Sequence, residues 1–321
     1  MKLENPIGYC DVTANAVIGC CEVSTGCSRC FAKRDTPARV LRSKGIETWG
    51  PKGVRHPVAG FAEKVRRMNE LCICEDCHAT YDFHMLSHAP FCHCGAHKRR
   101  VRLFSDSNSD WLDDRWPIET LAAFLKAIHD APNVIFQLLT KRPENFKQRI
   151  VVAAGQPSMA GTPAGIWADQ WCAGTRTPIN VWIGVSCENQ EWADKRIPEL
   201  LKIPAAVRFV SAEPLLEGIN FTDGEYNYLT GCGSREVPGF GTQGVVGKKV
   251  DWVIVGGESG PNFRPCQVEW ITDIADQCKA GGVPCWVKQD CGKKPRQQGR
   301  IPPEYWAIKQ TPALDNSRRG K

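Results

Sequence analysis

Val101-Arg102-Leu103-Phe104-Ser105-Asp106-Ser107-Asn108-Ser109-Asp110 is the stretch on which the fold turns. Residues 101–105 have strand composition and run straight into a loop of hydroxyls, carboxylates and an amide. Residues 118–129 then repeat apolar side chains at helical spacing. The same unit recurs along the chain. Further candidate strands cover 134–139, 181–185, 207–210, 252–255 and 285–287, with helical patterns at 143–150, 189–201 and 268–280. Strands alternating with helices argue for a parallel sheet with right-handed crossovers. With 7–18 as a first strand, the expected fold class is α/β: a parallel (β/α) partial or full TIM-like barrel over 1–321.

Parallel α/β folds place ligands at the carboxyl ends of their strands. Here those ends read 105–110, 140–143, 186–189, 211–214, 256–260 and 288–290, and all are polar or charged. Ser, Asp and Asn are favoured helix N-caps, which accounts for part of this pattern. Capping does not account for Lys141, Glu213, Glu258 and Lys288, which belong to one rim in a barrel. Toward the N-terminus, 31–42 has helical composition with Pro37 expected to disturb its middle, and 57–71 has apolar residues on one helical face. Segments 151–179 and 222–250 break the rhythm and read as long loops.

The chain has 321 residues, a hydrophobic fraction of 42% and a charged fraction of 24%, ordinary values for a globular protein. No apolar run reaches the length of a membrane span, and the first residues lack the apolar core of a signal peptide, so a cytoplasmic protein with no membrane partner is expected. Seventeen cysteines in a reducing compartment point to metal rather than to disulfides. Cys20, Cys27 and Cys30 form a C-x6-C-x2-C triplet. Three thiolates are one short of a closed structural zinc site, whereas a 4Fe-4S cluster on three cysteines leaves one iron open. Recruitment of Cys10 or Cys21 would close the set instead.

Residues 72–97 form an insertion with its own chemistry. Cys74-x2-Cys77 and Cys92-x-Cys94 resemble two zinc knuckles, expected to hold one zinc ion in a small ribbon that lacks a core. Cys72 or a histidine remains an alternative ligand. The other cysteines read as small buried hydrophobes, with Cys187 and Cys291 placed at strand ends where a reactive thiol could sit.

The formal charge is +6. Basic residues cluster at Lys98, Arg99, Arg100 and Arg102 and in a C-terminal tail, 292–321. With Lys141, Arg142 and Lys288 as substrate-facing cations, they fit a nucleic-acid or nucleotide substrate. Buried tryptophans are more often core than base-stacking platforms.

The cysteine triplet, Phe104-Ser105-Asp106-Ser107, Gln137 to Pro143, Trp182 to Ser186, Arg208 to Leu216 and Val253 to Gly260 together resemble a phage- and bacterium-associated three-cysteine family, itself similar to radical S-adenosylmethionine (SAM) enzymes. The first gap, six residues, is longer than the usual three of radical SAM enzymes. The resemblance implies that Cys20, Cys27 and Cys30 bind a 4Fe-4S cluster and that SAM occupies the open iron. An electron donor such as flavodoxin or ferredoxin would supply the cluster, and cleavage of SAM to a 5'-deoxyadenosyl radical would lead to hydrogen abstraction from substrate. It further implies that Ser105, Asp106, Ser107 and Asn108 meet the methionine or ribose end of SAM, and that Ser186, Glu188 and Glu213 hold ribose hydroxyls or substrate. Gly256 and Gly257 would admit close backbone approach, with Glu258 as an acceptor beside them. The competing expectation is a non-catalytic, zinc-containing nucleic-acid-binding protein, or an inert barrel that keeps its cluster as a scaffold.

Overall fold

The computed structural model describes residues 7–237 and 241–313. Its contacts separate two compact units, one running to Ser186 and including Pro198–Ala206, the other made of Cys187–Ile197 and the chain from Val207 onward. The first unit contains β1 (Val12–Ala14), β2 (Val17–Ile18), α1 (Thr36–Ser43), β3 (His56–Pro57), α2 (Phe61–Asn69), β4 (Leu71–Cys74), β5 (Thr80–Asp82), α3 (Met85–His88), β6 (Lys98–Arg100), β7 (Arg102–Ser105), α4 (Ile118–His129), β8 (Ile135–Thr140), α5 (Phe146–Ala154), α6 (Pro163–Cys172) and β9 (Val181–Ser186). The boundary falls within α7 (Gln190–Lys202), at Pro198. The second unit contains β10 (Val207–Ala212), β11 (Tyr226–Asn227), β12 (Cys232–Val237), β13 (Gly241–Val246), β14 (Trp252–Gly256), α8 (Val268–Ala280), β15 (Cys285–Gln289) and α9 (Pro303–Trp306).

In the first unit β1, β7, β8 and β9 pair in that order, all parallel, with Phe104 opposite Gln137 and Gln137 opposite Trp182. In the second unit β10, β14 and β15 pair in parallel, with Val210 opposite Val253 and Val255 opposite Val287. These strands are nearly continuous apolar runs, and every residue of β9 is buried, as expected when both faces of a parallel sheet are covered. Helices alternating with these parallel strands are compatible with a partial barrel. The first core joins Leu103, Phe136, Leu138 and Ile183 to Leu121, Phe124, Leu125 and Ile150, all essentially inaccessible. Trp111 and Trp171 stack beside them with centroids 6.4 Å apart and planes at 6°. The second core joins Phe209, Val253, Ile254 and Val287 to Ile271, Ile274 and Cys278 of α8.

Four local expectations change. Segment 31–42 is a short 3-10 turn, Phe31–Lys33, followed by α1, and Pro37 sits in the first turn of α1, where its missing N–H costs nothing. Asp35 caps that helix through a 2.8 Å bond from the Thr36 amide. Segment 151–179 is not a loop: α5 continues to Ala154, and α6 starts where the Thr162 hydroxyl accepts from the Gly165 amide. Segment 222–250 contains an antiparallel sheet, β11–β12–β13, with Cys232 opposite Val246. Its strands lack alternating apolar residues, so their order comes from cross-strand backbone bonds that leave no hydropathy signal. The first strand is also interrupted, as β1 and β2 flank Asn15, whose carboxamide oxygen accepts from the Asn108 amide at 2.9 Å. No helix of the described residues is long and apolar enough to cross a membrane.

Candidate metal centres

The insertion folds as the antiparallel sheet β5–β4–β6. Cys74 ends β4 and Cys77 follows in a tight turn, closed by the Cys74 amide donating to Ala79 O at 2.9 Å and by His78 at φ 56°. Cys92 and Cys94 occupy a second turn, where the Cys92 amide donates to Ala96 O and the Gly95 amide to Cys92 O. The two turns bring all four Sγ atoms within 4.8 Å of one another. Cys74 and Cys94 are 3.4 Å apart, as are Cys77 and Cys92. Four thiolates at about 2.3 Å from one tetrahedral ion stand roughly this far apart. The group can therefore hold a metal ion. Cys72 is excluded from it, because its thiol donates to Asp82 O inside the sheet. The Tyr81 hydroxyl lies 3.0 Å from Cys92 Sγ and 2.8 Å from His93 Nδ1, which is itself 3.4 Å from Cys92 Sγ.

The basic run after the ribbon is structural. Lys98 is buried; its ammonium donates to Ala89 O and lies 4.3 Å from the Tyr81 ring centre. Arg99 grips Asp11 with two bonds of 2.6 and 2.8 Å, and Asp11 also accepts from the Arg102 amide. Arg102 is buried near Trp182. Lys98, Arg99 and Arg102 thus fasten the ribbon and β7 to the sheet.

The cysteine loop begins at Gly19, where φ is +131° and a Cβ would meet Val54 O at 2.4 Å and Thr48 O at 2.8 Å, so no side chain fits. The Gly19 amide donates to Asn108 O, and the Cys20 amide to Thr48 O. Cys27 and Cys30 share one tight turn, with the Cys30 amide donating to Cys27 O at 3.1 Å. Burial pushes the Cys20 thiol up to about 12, helped by Asp110 and Cys30 and opposed by Arg142. Burial likewise raises Cys30, which is raised further by Cys27 and lowered by Lys141 and Arg34. Cys20 thus lies within electrostatic reach of Cys30 and Arg142, and Cys30 within reach of Cys27, Lys141 and Arg34. The three thiols are not gathered around a single ion position as the ribbon cysteines are. The raised Cys20 and Cys30 thiols favour the protonated form, whereas metal binding would remove the proton.

A buried ionic network underlies this loop. Asp110 accepts from the Thr140 hydroxyl at 2.7 Å, the Lys141 amide at 2.9 Å and Arg142 Nη1 at 2.8 Å. Arg142 Nη2 then reaches Cys21 Sγ at 3.2 Å. Arg55 and Asp113, both fully buried, pair at 2.7 Å, and Asp113 lies 3.7 Å from Arg142. The Lys141 ammonium donates to the Ser186 hydroxyl at 2.7 Å. Lys141 and Arg142, read from the sequence as substrate-facing, therefore stand beside the cysteines. Asp106 is committed internally: its carboxylate accepts from the Ala16 and Val17 amides and from the Ser105 and Ser109 hydroxyls. Ser107 contacts Asn15, while Asn108 donates to Asp35 and keeps its own carboxamide oxygen buried without a partner. Asp113, Arg55 and Asp35 were not singled out from sequence, since nothing local marks them as partners of this loop.

The strand ends of the second unit are paired as well. Glu188 is fully buried against Arg196 at 3.0 Å. Glu213 and Lys288 meet at 3.0 Å over Gly256, where a Cβ would come within 2.9 Å of Glu213 Oε1. Gly257 has no room for a side chain, because a Cβ would lie 2.4 Å from the Cys291 amide nitrogen. Glu258 forms a two-point pair with Arg264. Asp290 does the same with Arg300, whose Nη2 also lies 3.3 Å from Cys291 Sγ. Cys187 is buried, as are Cys266, Cys278 and Cys285. Lys293, Lys294 and Arg296 are exposed, and the end of the basic tail lies outside the described residues.

A family model described as Protein of unknown function (DUF5131) matches residues 4–308. No curated protein and no solved structure matches the chain.

Proposed function

The chain belongs to that family, and we propose that it is a radical-SAM-like iron–sulfur enzyme with a separate structural zinc ribbon, acting on a nucleic-acid or nucleotide substrate. The observation that supports this reading is the cysteine loop, where Cys27 and Cys30 share one tight turn and Arg142, held by Asp110, reaches Sγ of Cys21, the neighbour of Cys20, at 3.2 Å. Cys20, Cys27 and Cys30 would hold a 4Fe-4S cluster, and Cys74, Cys77, Cys92 and Cys94 a zinc ion. When bound, the cluster and SAM would supply the electron transfer and the 5'-deoxyadenosyl radical that abstracts hydrogen.

The protein's own part is electrostatic and steric. Arg142, held by Asp110 with Asp113 close by and in contact with Cys21, would offset negative charge at Cys20. Lys141, anchored on Ser186, adds a second cation near Cys30. In the second unit Gly256 leaves room for the Glu213–Lys288 pair, a donor and acceptor suited to ribose or phosphate. Asp106 and Ser105 keep the β1 and β7 ends in register, so that their contribution is to shape the loop. An electron donor such as flavodoxin or ferredoxin completes the scheme.

Anaerobic purification with iron, sulfide and zinc analysis, followed by a dithionite-dependent SAM cleavage assay, tests this reading. About four irons per chain, with 5'-deoxyadenosine formed, is the expected result. A colourless protein holding only zinc would sink it and leave a zinc-containing nucleic-acid-binding protein, which the four-thiol ribbon alone would support. Iron without SAM turnover would assign the cluster a scaffold role.

A further inference from the structure

Residues 29–52 contain seven basic side chains, Arg29, Lys33, Arg34, Arg39, Arg42, Lys44 and Lys52, against two acidic ones, Asp35 and Glu47, so this stretch holds +5 of the chain's formal +6. All seven basic residues are exposed. The two acids do little to neutralise the surface. Asp35 is turned inward to cap α1 and to accept from Asn108, and Glu47 is taken by Arg42 at 2.9 Å. Lys33, Arg39 and Lys44 have no ion pair among the described residues. The turn and the helix are tied together, since Arg42 Nη2 donates to Lys33 O. On this cationic surface two apolar side chains are left in water: Phe31, 53% exposed, and Val40, 47% exposed. Phe31 directly follows Cys30.

A polyanion satisfies the charge, and an exposed ring among cations is the platform on which an unpaired base stacks. We infer that the surface formed by the Phe31–Lys33 turn and α1 binds single-stranded nucleic acid, with phosphates on Lys33, Arg39 and Lys44 and a base on Phe31. The inference rests on the proposed function only in placing a bound strand next to Cys30; the binding itself needs no cluster.

The test is fluorescence anisotropy of the full chain with a labelled oligonucleotide of about 15 nucleotides, as RNA and as DNA, over a salt series. The expected result is affinity that falls with salt. A Lys33→Glu/Arg39→Glu/Lys44→Glu variant should bind at least about tenfold more weakly with a shallower salt slope. Phe31→Ala should lose about fivefold or more on single strands while keeping the slope. Unchanged zinc content and circular dichroism would show that both variants fold. Equal binding by the triple variant and the parent overturns the inference. So does binding to phosphatidylserine vesicles without binding to the oligonucleotides, which would assign the surface to a membrane. A Cys20→Ala chain that lacks iron and still binds the strand leaves this surface standing even if the cluster reading fails. Iron and SAM cleavage without strand binding removes this inference alone.

Discussion

Asp106 is fully buried at φ +61°, and burial raises its pKa to about 6 despite four hydrogen bonds that favour the anion. The folded pKa lies above the unfolded value of 3.8, so the folded state binds the proton more tightly. This group's contribution is fully present below about pH 4 and is lost as pH rises through about 6, a change on the order of 3 kcal/mol. Asp106→Asn should remove that slope. Urea midpoints of the two proteins should therefore diverge from about pH 4 to 6, and parallel profiles would contradict the assignment. Asp113 makes a different prediction. It is the buried partner of Arg55 and lies close to Arg142. Asp113→Ala leaves uncompensated guanidinium charge and should cost about 3–5 kcal/mol in denaturant unfolding. The same change leaves Arg142 held by Asp110 alone, so iron retention, read by metal analysis, should fall together with stability.

The ribbon shows how an element is held without a core. Its buried side chains are few, chiefly Cys72, Ile73, Cys74, Cys92 and Lys98. A metal ion on the four thiols would supply what apolar burial cannot. Cys77→Ser, or a strong chelator, should release about one zinc per chain and abolish amide-exchange protection in β4, β5 and β6, while β7, β8 and β9 keep theirs. Uniform loss of protection would mean that the ribbon is not a separate folding element. Arg99 makes the opposite case, since it joins the ribbon to Asp11 across 88 residues of sequence. Arg99→Ala should lower stability by about 3 kcal/mol, keep the zinc and leave oligonucleotide affinity unchanged. A drop in affinity equal to that of the α1 charge reversals would return residues 98–102 to the phosphate-binding role that their sequence invites.

For the whole molecule, the two cysteine groups should load independently. Cys27→Ala should lose iron and keep zinc, and Cys77→Ser should do the reverse, as read by metal analysis of each purified variant. Loss of both metals from either would show a single coupled site. The alternation of strands and helices was legible because period-two and helical spacings are local properties of the chain. The two cysteine pairs of the ribbon were legible from their short turns, while the exclusion of Cys72 needed the fold, which turns its thiol to Asp82 O. The loop 19–30 was legible as a cysteine triplet, and its tight turn follows from residues close in sequence. The fate of the charges was not legible. Lys98, Arg99 and Arg102 became fasteners, Glu188, Glu213 and Glu258 were neutralised by Arg196, Lys288 and Arg264, and the exposed cations of 29–52 went unnoticed beside the cysteines. The sequence by itself determined the parallel α/β alternation, the two cysteine pairs of the ribbon and the triplet, all set by neighbours along the chain. Only the tertiary structure decided which charges are spent internally and which face solvent, because burial and pairs such as Arg55–Asp113 or Glu213–Lys288, 58 and 75 residues apart, arise only when the chain folds.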